Sequence, residues 1–599
     1  MYKEWGCGEI GIDQEKNEII IAGWVDSWRD HGSLLFIDLR DSTGTVQVVF
    51  DKSKSNSNHQ IASSFRTEWV VQIKGMVEKR IEGAENPNIS TGYIEIHATE
   101  INVLNESKTP PFEVNSENID ETTRLRYRFL DLRSSRMQNN IKLRNDVILS
   151  ICNFLNDKNF VHIETPILIK STPEGARDYV VPSRVHPGEF YALPQSPQQI
   201  KQMLMTSGFE KYYQIAKCFR DEDLRADRQP EHTQLDFEMS FVHQEDVLSN
   251  CEELYYFLSK KYQSKDIVYP FPRITYEEAI EKYGTDKPDT RFSLHLKNLN
   301  HILGGTEFRV FNNTLESGGS IKGISLKNSD SIKRSYIDEL NDFVIEMGGG
   351  GVIPISLDSV EDISKLDIKN VKSPIAKFLS VENVIEIFNI FDASENDIIF
   401  ISAGENDKVN ECLGSIRNKL AKDLGLIDEN KINFLFVTNF PLFEFDKESG
   451  QWLAMHHVFS SPTKETEDFM DSDPGKVIGN LFDLVCNGVE LGSGSIRIHN
   501  RKTQEKVFSI IGYSKSEVEE RFGSLLEAFE YGAPPHGGMG LGIDRLVALF
   551  SNEESIRDVI SFPKTQSASD LLWGAPSLIE EKQKMELNIK SINEEKDQN

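Results

Sequence analysis

The clearest alternation of hydrophobic and polar positions predicts a β-hairpin around residues 212–241. In its second strand one parity is mostly apolar, at Thr233, Leu235, Phe237, Met239 and Phe241. The other parity is polar, at Gln234, Asp236, Glu238 and Ser240. Strict alternation predicts one face packed in a core and one face presented. Because the connecting loop carries Arg220, Glu222 and Arg228, we expect the polar face to bind a polyanion and a small polar molecule together.

Residues 16–104 show the same alternation in five segments, with a helical segment between the third and the fourth. The predicted strands are Glu18–Trp28, Ser33–Asp41, Gly44–Asp51, Glu68–Lys79 and Gly92–Leu104. This order is typical of the OB barrel. Phe36 shares the polar face of its strand with Asp38 and Arg40, where it could stack on an unpaired base or cap a minor core. The two interpretations remain equally open at this stage.

The rest of the pattern predicts a larger domain that is interrupted by an insertion. Helical spacing runs from Leu125 to about Lys158, and short βα patterns rich in Gly and Lys begin near residue 285. The predicted segments are a barrel at 1–104, a linker at 105–125, a catalytic domain at 126–284 and 431–580, an inserted α+β domain at 285–430 and a polar tail at 581–599.

Composition narrows the class of protein. A chain of 599 residues is too long for one core, and 38% hydrophobic content with a mean hydropathy of −0.41 is typical of a soluble globular protein. A net charge of −29 argues against a general nucleic-acid binder, so a nucleic-acid partner would need local basic patches. The six cysteines form no CxxC pair, and no signal peptide or membrane span is evident, so we expect a cytoplasmic protein.

Residues 481–499 combine carboxylates with a glycine-rich strand. Ser493, Arg497 and His499 share one face of it, and the intervening glycines permit close backbone approach. Asp483 and Glu490 could hold Mg²⁺ through oxygen ligands. The structural alternative is an edge strand with a polar solvent face.

Three further segments carry candidate chemistry. In residues 532–550 a glycine-rich strand leads into a helix whose first turn carries Arg545, an arrangement that suits phosphate. Residues 171–178 read as a mobile lid, and residues 192–201 as a polar pocket wall. Ordinary packing and surface loops are the alternatives. The tandem His456-His457 has no third ligand at metal spacing, so a substrate contact or a core histidine is favoured.

Taken together, these segments resemble the three motifs of the class II aminoacyl-tRNA synthetases. The matching residues are Thr165-Pro166, then Phe219–Glu222 with Arg228–Glu231, and Gly540–Arg545. Thr172–Asp178, Gln195–Gln198 and Gly492–Arg497 are similar to the aspartyl-tRNA synthetases in particular. The barrel and the insertion resemble the bacterial type, whose insertion is called the GAD domain. The resemblance covers nearly the whole chain and implies an antiparallel catalytic sheet flanked by helices.

The resemblance implies that the protein binds ATP and Mg²⁺, with Asp483 and Glu490 as the metal ligands. Arg220 would hold the α-phosphate and the reacting carboxylate, and Arg545 the γ-phosphate. The implied ATP-binding residues are Arg220, Asp221, Glu222, Gln229, His232, Glu490, Gly542, Ile543, Asp544 and Arg545.

The resemblance also implies L-aspartate and tRNA(Asp) as substrates, and a homodimer with Pro166 at its interface. The implied aspartate-binding residues are Glu174, Ser196, Gln198, Lys201, Arg220, Asp236, His456 and Arg497. The anticodon would meet Arg29, Phe36 and Gln47. No membrane or DNA partner is expected.

Two positions bear on specificity. His232 stands where many members of the family have a phenylalanine that stacks on adenine. His31, together with Gly83, is typical of enzymes of this family that charge both tRNA(Asp) and tRNA(Asn), so we hypothesise a non-discriminating enzyme. A strictly tRNA(Asp)-specific enzyme is the first alternative. Asparaginyl- or lysyl-tRNA synthetase, ammonia-dependent asparagine synthetase and a non-catalytic RNA-binding relative are the others.

Overall fold

The computed structural model describes residues 1–172, 175–224, 227–328, 332–358, 363 and 366–590. The chain forms two compact units. The first comprises residues 1–142, 561–565 and 569–576, and the second comprises 143–560, 566–568 and the chain from 577 onward. Within the described ranges, no helix is both long enough and apolar enough to cross a membrane.

The first unit contains a closed five-stranded barrel, which confirms the predicted OB architecture. Its strands are β1 (Glu18–Asp30), β2 (Leu34–Arg40), β3 (Thr45–Asp51), β4 (Val70–Lys79) and β5 (Ile94–Asn105), joined in the order β1-β2-β3-β5-β4. Helix α1 (Asn56–Ser63) follows β3, and the Ser55 side chain caps it by accepting a hydrogen bond from the backbone of Asn58. Leu35, Ile37 and Leu39 are fully buried in the barrel core, so the residues between them face outward.

After the barrel, residues 106–120 form neither helix nor strand, and helices follow. The helices of the remaining chain are α2 (Glu121–Arg126), α3 (Arg128–Asp131), α4 (Ser135–Asp157), α5 (Gln198–Thr206), α6 (Gln244–Tyr262), α7 (Tyr276–Tyr283), α8 (Asn300–Leu303), α9 (Arg309–Glu316), α10 (Arg334–Glu346), α11 (Val381–Ile390), α12 (Asn406–Asp423), α13 (Arg501–Ile510), α14 (Lys515–Glu530), α15 (Ile543–Ser551) and α16 (Glu581–Leu587).

The strands of the second unit are β6 (Val161–His162), β7 (Val180–Pro182), β8 (Phe190–Ala192), β9 (Lys211–Phe219), β10 (Glu231–Ser240), β11 (Arg273–Thr275), β12 (Lys297–Asn298), β13 (Ser320–Leu326), β14 (Ile353–Leu357), β15 (Val371–Lys372), β16 (Ile398–Gly404), β17 (Phe434–Thr438), β18 (Phe443–Asp446), β19 (Gln451–Ala454), β20 (Leu481–Cys486), β21 (Val489–Ile496) and β22 (His536–Gly542). Eight of them form one sheet in the order β11-β17-β20-β21-β22-β10-β9-β6. Its neighbours are antiparallel except at the two edges, where β11 pairs with β17 and β6 with β9 in parallel. This α+β architecture agrees with the predicted fold class.

Strand β10 differs from its prediction on both faces. Asp236 and Glu238 are fully buried, because they pack against buried cations and are not presented to solvent. Phe241, predicted to lie in the core, is 69% exposed. The strand ends at Ser240, and Phe241 adopts a positive φ of 60° that turns the chain away from the sheet.

A separate five-stranded sheet lies within residues 297–404, in the order β12-β13-β16-β14-β15. In β16, Ile399 and Ile401 join one hydrophobic cluster while Ile398 and Phe400 join another. Because successive side chains of a strand point to opposite faces, this sheet is covered on both sides. It therefore has a core of its own, separate from that of the eight-stranded sheet.

Candidate active site

Four adjacent strands of the large sheet align two of the predicted site residues, Asp236 and Asp483, on one face. Asp236 pairs with Gly540, Gly540 with Ser493, and Ser493 with Asp483. Directly paired residues point to the same side of a sheet. Since neighbouring strands lie about 4.8 Å apart, Asp236 and Asp483 mark positions roughly 14 Å apart along one row. The edge-strand alternative for β21 is wrong, because β21 lies between β20 and β22.

At one end of this row, four charged side chains form a closed cluster. Lys201 Nζ lies 2.9 Å from Asp236 Oδ1 and 3.4 Å from Glu238 Oε2. Arg497 Nε lies 2.9 Å from Glu238 Oε1, and its Nη2 lies 3.2 Å from Glu238 Oε2. All four residues are at most 1% exposed, and their formal charges cancel. We refer to Lys201, Asp236, Glu238 and Arg497 as the paired cluster.

The paired cluster stabilises its own ionisation states. Burial alone would raise the pKa of Glu238, but Arg497 and Lys201 overcome this effect and hold the pKa below its usual range. Gly538 provides the space for this carboxylate, because a Cβ there would lie 2.3 Å from Glu238 Oε2. A side chain at Gly538 would also lie 2.1 Å from the Phe237 carbonyl, so this position of β22 requires glycine.

Every nitrogen of the Arg497 guanidinium already has a partner within the protein. Besides Glu238, it donates to Ser495 Oγ at 2.7 Å and to the Gly538 carbonyl at 3.1 Å, and its Nη1 lies 2.6 Å from His457 Nε2. Burial and Arg497 together lower the pKa of His457 far below its usual value, so the ring is neutral. The neighbouring His456, which the sequence predicts as an aspartate contact, lies with Nε2 3.5 Å from Asp483 Oδ2. Glu238 and His457 were missed, although the parity shared with Asp236 was a signal for Glu238.

The predicted phosphate-binding residues gather beside β10 and α15. Arg220 is half-buried, and its Nε is a buried donor without a hydrogen-bond partner. Burial, followed by the positive charge of Arg220, lowers the pKa of His232 to about 4. Arg545 Nη1 donates to the Glu490 carbonyl at 2.8 Å, and its Nη2 lies 3.1 Å from Asp227 Oδ2. The guanidinium groups of Arg220 and Arg545 and the neutral imidazole of His232 therefore lie near one another beside β10 and α15.

Other members of the predicted ATP-binding set have partners within the protein. The Asp544 carboxylate bonds to Arg144 Nη1 at 2.5 Å and accepts from the backbone N–H of Thr233 at 2.8 Å. Ile543 is buried in the core, so its side chain does not face a ligand. Gly542 is the residue before α15, at the N-terminus of that helix. Glu222 pairs with Arg228 at 3.1 Å, and Asp221 and Gln229 belong to the same loop region.

At the other end of the row, the two predicted metal ligands have different surroundings. Asp483 is fully buried, and neither of its carboxylate oxygens has a hydrogen-bond partner. Burial, Glu490 and Asp286 raise its pKa well above the usual range. Glu490 Oε2 lies 2.9 Å from Lys287 Nζ. Lys287 was missed because it falls at the start of the predicted insertion, where the sequence shows no catalytic pattern.

The described residues contain no group of three or more His, Cys, Asp or Glu side chains arranged to hold a metal ion. Two carboxylates are nevertheless enough for Mg²⁺ when phosphate oxygens and waters complete its shell. The buried, unsatisfied oxygens of Asp483 fit such a cation, because a bound charge would replace the missing partners. The donor set therefore suits Mg²⁺ better than zinc.

The predicted lid and pocket wall contact each other. Gln195 donates to the Ala176 carbonyl at 2.8 Å and to Asp178 Oδ1 at 2.6 Å. The lid also reaches the phosphate-binding loop, since the Asp221 backbone donates to the Arg177 carbonyl at 3.0 Å. Glu174 lies outside the described residues. Ser196 and Gln198 lie at the start of α5, where Gln198 is buried and donates to Gln202.

On the barrel, Arg29, His31, Phe36 and Gln47 lie on one outer face. Arg29 and Phe36 are cross-strand partners, and the His31 and Phe36 rings meet edge to face at 5.6 Å. Arg29 Nη2 lies 3.0 Å from Asp38 and 3.4 Å from Gln47 Oε1. Gly83 lies in the loop between β4 and β5, with a φ of 88° that favours glycine.

Pro166 lies on the surface just after β6. It is exposed, and the next two residues, Ile167 and Leu168, are 47% and 52% exposed. The predicted strand at 161–166 is regular only at Val161–His162.

Two regions of the chain match known protein families, and two relatives are similar to it over nearly its whole length. Residues 120–566 match the family described as tRNA synthetases class II (D, K and N), and residues 19–104 match the OB-fold nucleic acid binding domain. The aspartate--tRNA(Asp/Asn) ligase of Dehalococcoides mccartyi strain CBDB1 is 49% identical, over 98% of this chain and 99% of that protein. The aspartate--tRNA ligase of Macrococcus caseolyticus is 49% identical, over 97% of each.

Solved structures show the same fold at low identity. The asparaginyl-tRNA synthetase of Pyrococcus horikoshii complexed with asparaginyl-adenylate superposes with a TM-score of 0.59 and 19% identity, covering 94% of this chain and 99% of that one. The aspartyl-tRNA synthetase of Entamoeba histolytica gives a TM-score of 0.57 at 19% identity, covering 94% and 91%. At this identity the similarity bears on the fold alone.

Proposed function

Because this chain belongs to the class II tRNA synthetases of the D, K and N group, we propose that it uses ATP to attach L-aspartate to tRNA(Asp). The paired cluster is the observation that carries the choice of aspartate. A pocket for an acidic side chain needs cations held in fixed positions, and Lys201 and Arg497 are so held by Asp236 and Glu238. The names of the two relatives at 49% identity support the same substrate.

In this proposal the side-chain carboxylate of aspartate binds Lys201 and Arg497. Because every nitrogen of Arg497 already has a partner, the carboxylate takes the place of a neutral partner such as His457 or Ser495. The ammonium group lies near Asp236, with Ser196 and Gln198 around it, and the resemblance to the family assigns Glu174, which lies outside the described residues, to the same group. His456 contributes from the Asp483 side of the pocket. Asparagine lacks the negative charge that would compensate for this displacement, so it is rejected.

The α-carboxylate of aspartate then attacks the α-phosphorus of ATP, and the bond to the bridging oxygen of pyrophosphate breaks. Arg220, with its unsatisfied Nε, holds the oxygens on which charge develops. Arg545 binds the γ-phosphate, and the neutral His232 stacks on adenine. A ribose hydroxyl of tRNA next attacks the carbonyl carbon of aspartyl-adenylate, and AMP leaves. Positioning and charge supply the catalysis, so no enzyme nucleophile is required.

Asp483 and Glu490 would hold Mg²⁺, which supplies positive charge to the phosphates when bound. The unsatisfied oxygens of Asp483 support this assignment. On the surface, the exposed Pro166, Ile167 and Leu168 support a homodimer interface at the end of β6.

The outer face of the barrel would meet the anticodon, with Phe36 stacking and Arg29 and Gln47 hydrogen-bonding. We propose further that tRNA(Asn) is also charged. The edge-to-face contact of His31 with Phe36 supports a role for His31 in this choice, and Gly83 would act from its own loop. Charging of tRNA(Asp) and tRNA(Asn) transcripts by the purified enzyme tests the point, and charging of tRNA(Asp) alone would contradict it.

The test of the main proposal is ATP–pyrophosphate exchange with aspartate, asparagine and lysine in turn. We expect exchange with aspartate only. Exchange with asparagine would assign the chain to the asparaginyl enzymes instead. If aspartate supports exchange but ammonia converts it to free asparagine without tRNA, the asparagine synthetase alternative is correct.

A further inference from the structure

The first residues of the predicted insertion, which begins at residue 285, place a lysine at the acidic end of the active site. Lys287 Nζ lies 2.9 Å from Glu490 Oε2. Next to this ion pair, Asp483 is fully buried with two unsatisfied oxygens. The nearby carboxylates of Asp286, Asp483 and Glu490 all act on the Lys287 ammonium. Lys287 is therefore the cation that balances this acidic group when no other cation is bound.

Helix α12 contacts the backbone on both sides of Lys287, at Gly284 and within residues 289–294. Arg417 is fully buried, and its guanidinium donates to the carbonyls of Leu294 at 2.6 Å, Asp289 at 2.7 Å and Phe292 at 3.0 Å. The guanidinium carbon also lies 3.9 Å from the centre of the Phe292 ring. At Gly284 a Cβ would lie 2.2 Å from the Asn410 carbonyl of the same helix. The backbone on both sides of Lys287 is thus fixed, and only its side chain is free to move.

An ammonium group and a divalent cation cannot both use the same carboxylate oxygen. Like charges within about 4 Å repel by roughly 4 kcal/mol at the effective dielectric of a protein surface. A metal that binds Asp483 and Glu490 must therefore displace Lys287. The displaced ammonium needs a new anionic partner, and the phosphates of a nucleotide are the anions expected in this site.

We propose that Lys287 is a positioning residue that couples divalent-cation binding to nucleotide binding. Without nucleotide, Lys287 occupies Glu490 and weakens metal binding. With nucleotide, the ammonium moves to phosphate and leaves Glu490 to the metal. This inference rests on the proposed function, because it takes Asp483 and Glu490 as metal ligands. It adds a residue from the insertion's border to the site.

Manganese titrations of the full-length enzyme, followed by the electron paramagnetic resonance signal of free Mn²⁺, test the proposal. Titrations are run alone and with a non-hydrolysable ATP analogue. We expect Lys287→Met to tighten Mn²⁺ binding about tenfold without nucleotide, as for loss of one charge-assisted contact. The gain in Mn²⁺ affinity that nucleotide produces should shrink by a similar factor, since such coupling is reciprocal.

Three variants make the outcome unambiguous. Lys287→Arg keeps the positive charge and should behave like the parent enzyme. Lys282→Met removes an exposed lysine that pairs with Glu278 on α7, and should change nothing. Asp483→Asn should abolish tight Mn²⁺ binding. If Asp483→Asn leaves binding intact, the proposed metal site fails and this inference with it. If Asp483→Asn abolishes binding but Lys287→Met does not tighten it, only the role of Lys287 is overturned.

Discussion

The paired cluster and Asp483 lie at opposite ends of one face of the same sheet and differ in their surroundings. In the paired cluster, Asp236 and Glu238 are fully buried, and each contacts a buried cation within 3 Å. At the other end, Asp483 is equally buried but has no hydrogen-bond partner. The pKa of Glu238 is lowered, whereas that of Asp483 is raised. Burial is common to both, so the partner decides the direction of the shift.

The comparison separates two uses of a buried carboxylate. A carboxylate with a fixed cation orients that cation for a ligand and stabilises the fold. A carboxylate without one costs stability, and under the proposed function this cost is offset when a cation binds there.

The largest effect is expected at Arg497. Arg497→Met leaves Glu238 buried beside Lys201 alone, so the free energy of unfolding should fall by about 3–5 kcal/mol, and aspartate-dependent pyrophosphate exchange should be lost. Arg497→Met combined with Glu238→Gln should recover most of the stability and none of the activity. Urea denaturation and exchange assays measure the two effects. If Arg497→Met alone is as stable as the parent, the ion pairs of the paired cluster do not stabilise the fold.

The two carboxylates can be compared directly by neutralising each. Asp236→Asn removes a partner of Lys201 and should lower the free energy of unfolding by about 2–3 kcal/mol. Asp483→Asn removes a buried carboxyl group without a hydrogen-bond partner, whose pKa burial raises, and should leave that free energy unchanged or raise it by about 1 kcal/mol. Urea denaturation in metal-free buffer gives both values. If Asp236→Asn and Asp483→Asn lose the same free energy of unfolding, a fixed cation makes no difference to what a buried carboxylate contributes to stability.

Burial also shifts the pKa of a basic side chain, His232. Its pKa is lowered to about 4, below the ordinary value near 6.5, so the folded protein favours the neutral ring. As pH falls from 6.5 to 4, the unfolded chain takes up the proton first and the parent enzyme loses stability. His232→Phe has no such proton, so its stability relative to the parent should rise by about 1–3 kcal/mol over this range. Pyrophosphate exchange should persist, and its collapse would show that a stacked ring is not enough.

The smallest effect on stability is expected on the barrel. Arg29 is 49% exposed, and its ion pair with Asp38 is open to solvent. Arg29→Ala should therefore change the free energy of unfolding by less than about 1 kcal/mol. Its KM for tRNA should rise about tenfold while aspartate activation stays constant. Unchanged tRNA kinetics would remove Arg29 from the anticodon surface.

The alternation of apolar and polar residues predicts a strand correctly when its apolar face packs in a core and its polar face meets solvent. The barrel strands alternate because one face packs in the core and the other meets solvent, as Leu35 and Phe36 illustrate. Strand β10 alternates equally well, yet both of its faces are buried. The cations that cover its polar face come from α5 and from the end of β21, far away in sequence. No local signal at Asp236 or Glu238 reveals them.

The same reason explains the missed site residues. His457 and His456 are adjacent in sequence, and only the fold determines which of them reaches Arg497. Lys287 lies at the start of the predicted insertion, where the sequence shows no catalytic pattern. The motif positions Arg220 and Arg545, in contrast, could be named from the sequence, because each lies next to a recognisable turn or helix start.

Arg417 shows why the predicted insertion cannot be removed at its sheet alone. Its guanidinium binds three carbonyls within residues 289–294, although Arg417 itself lies near the end of the predicted insertion. The same helix, α12, also packs on the five-stranded sheet, where Val409, Leu413 and Ile416 join the hydrophobic cluster that contains Phe400. An engineered deletion of the sheet at 297–404 would therefore expose a buried apolar face of α12, so such a variant needs polar substitutions on that face to remain soluble.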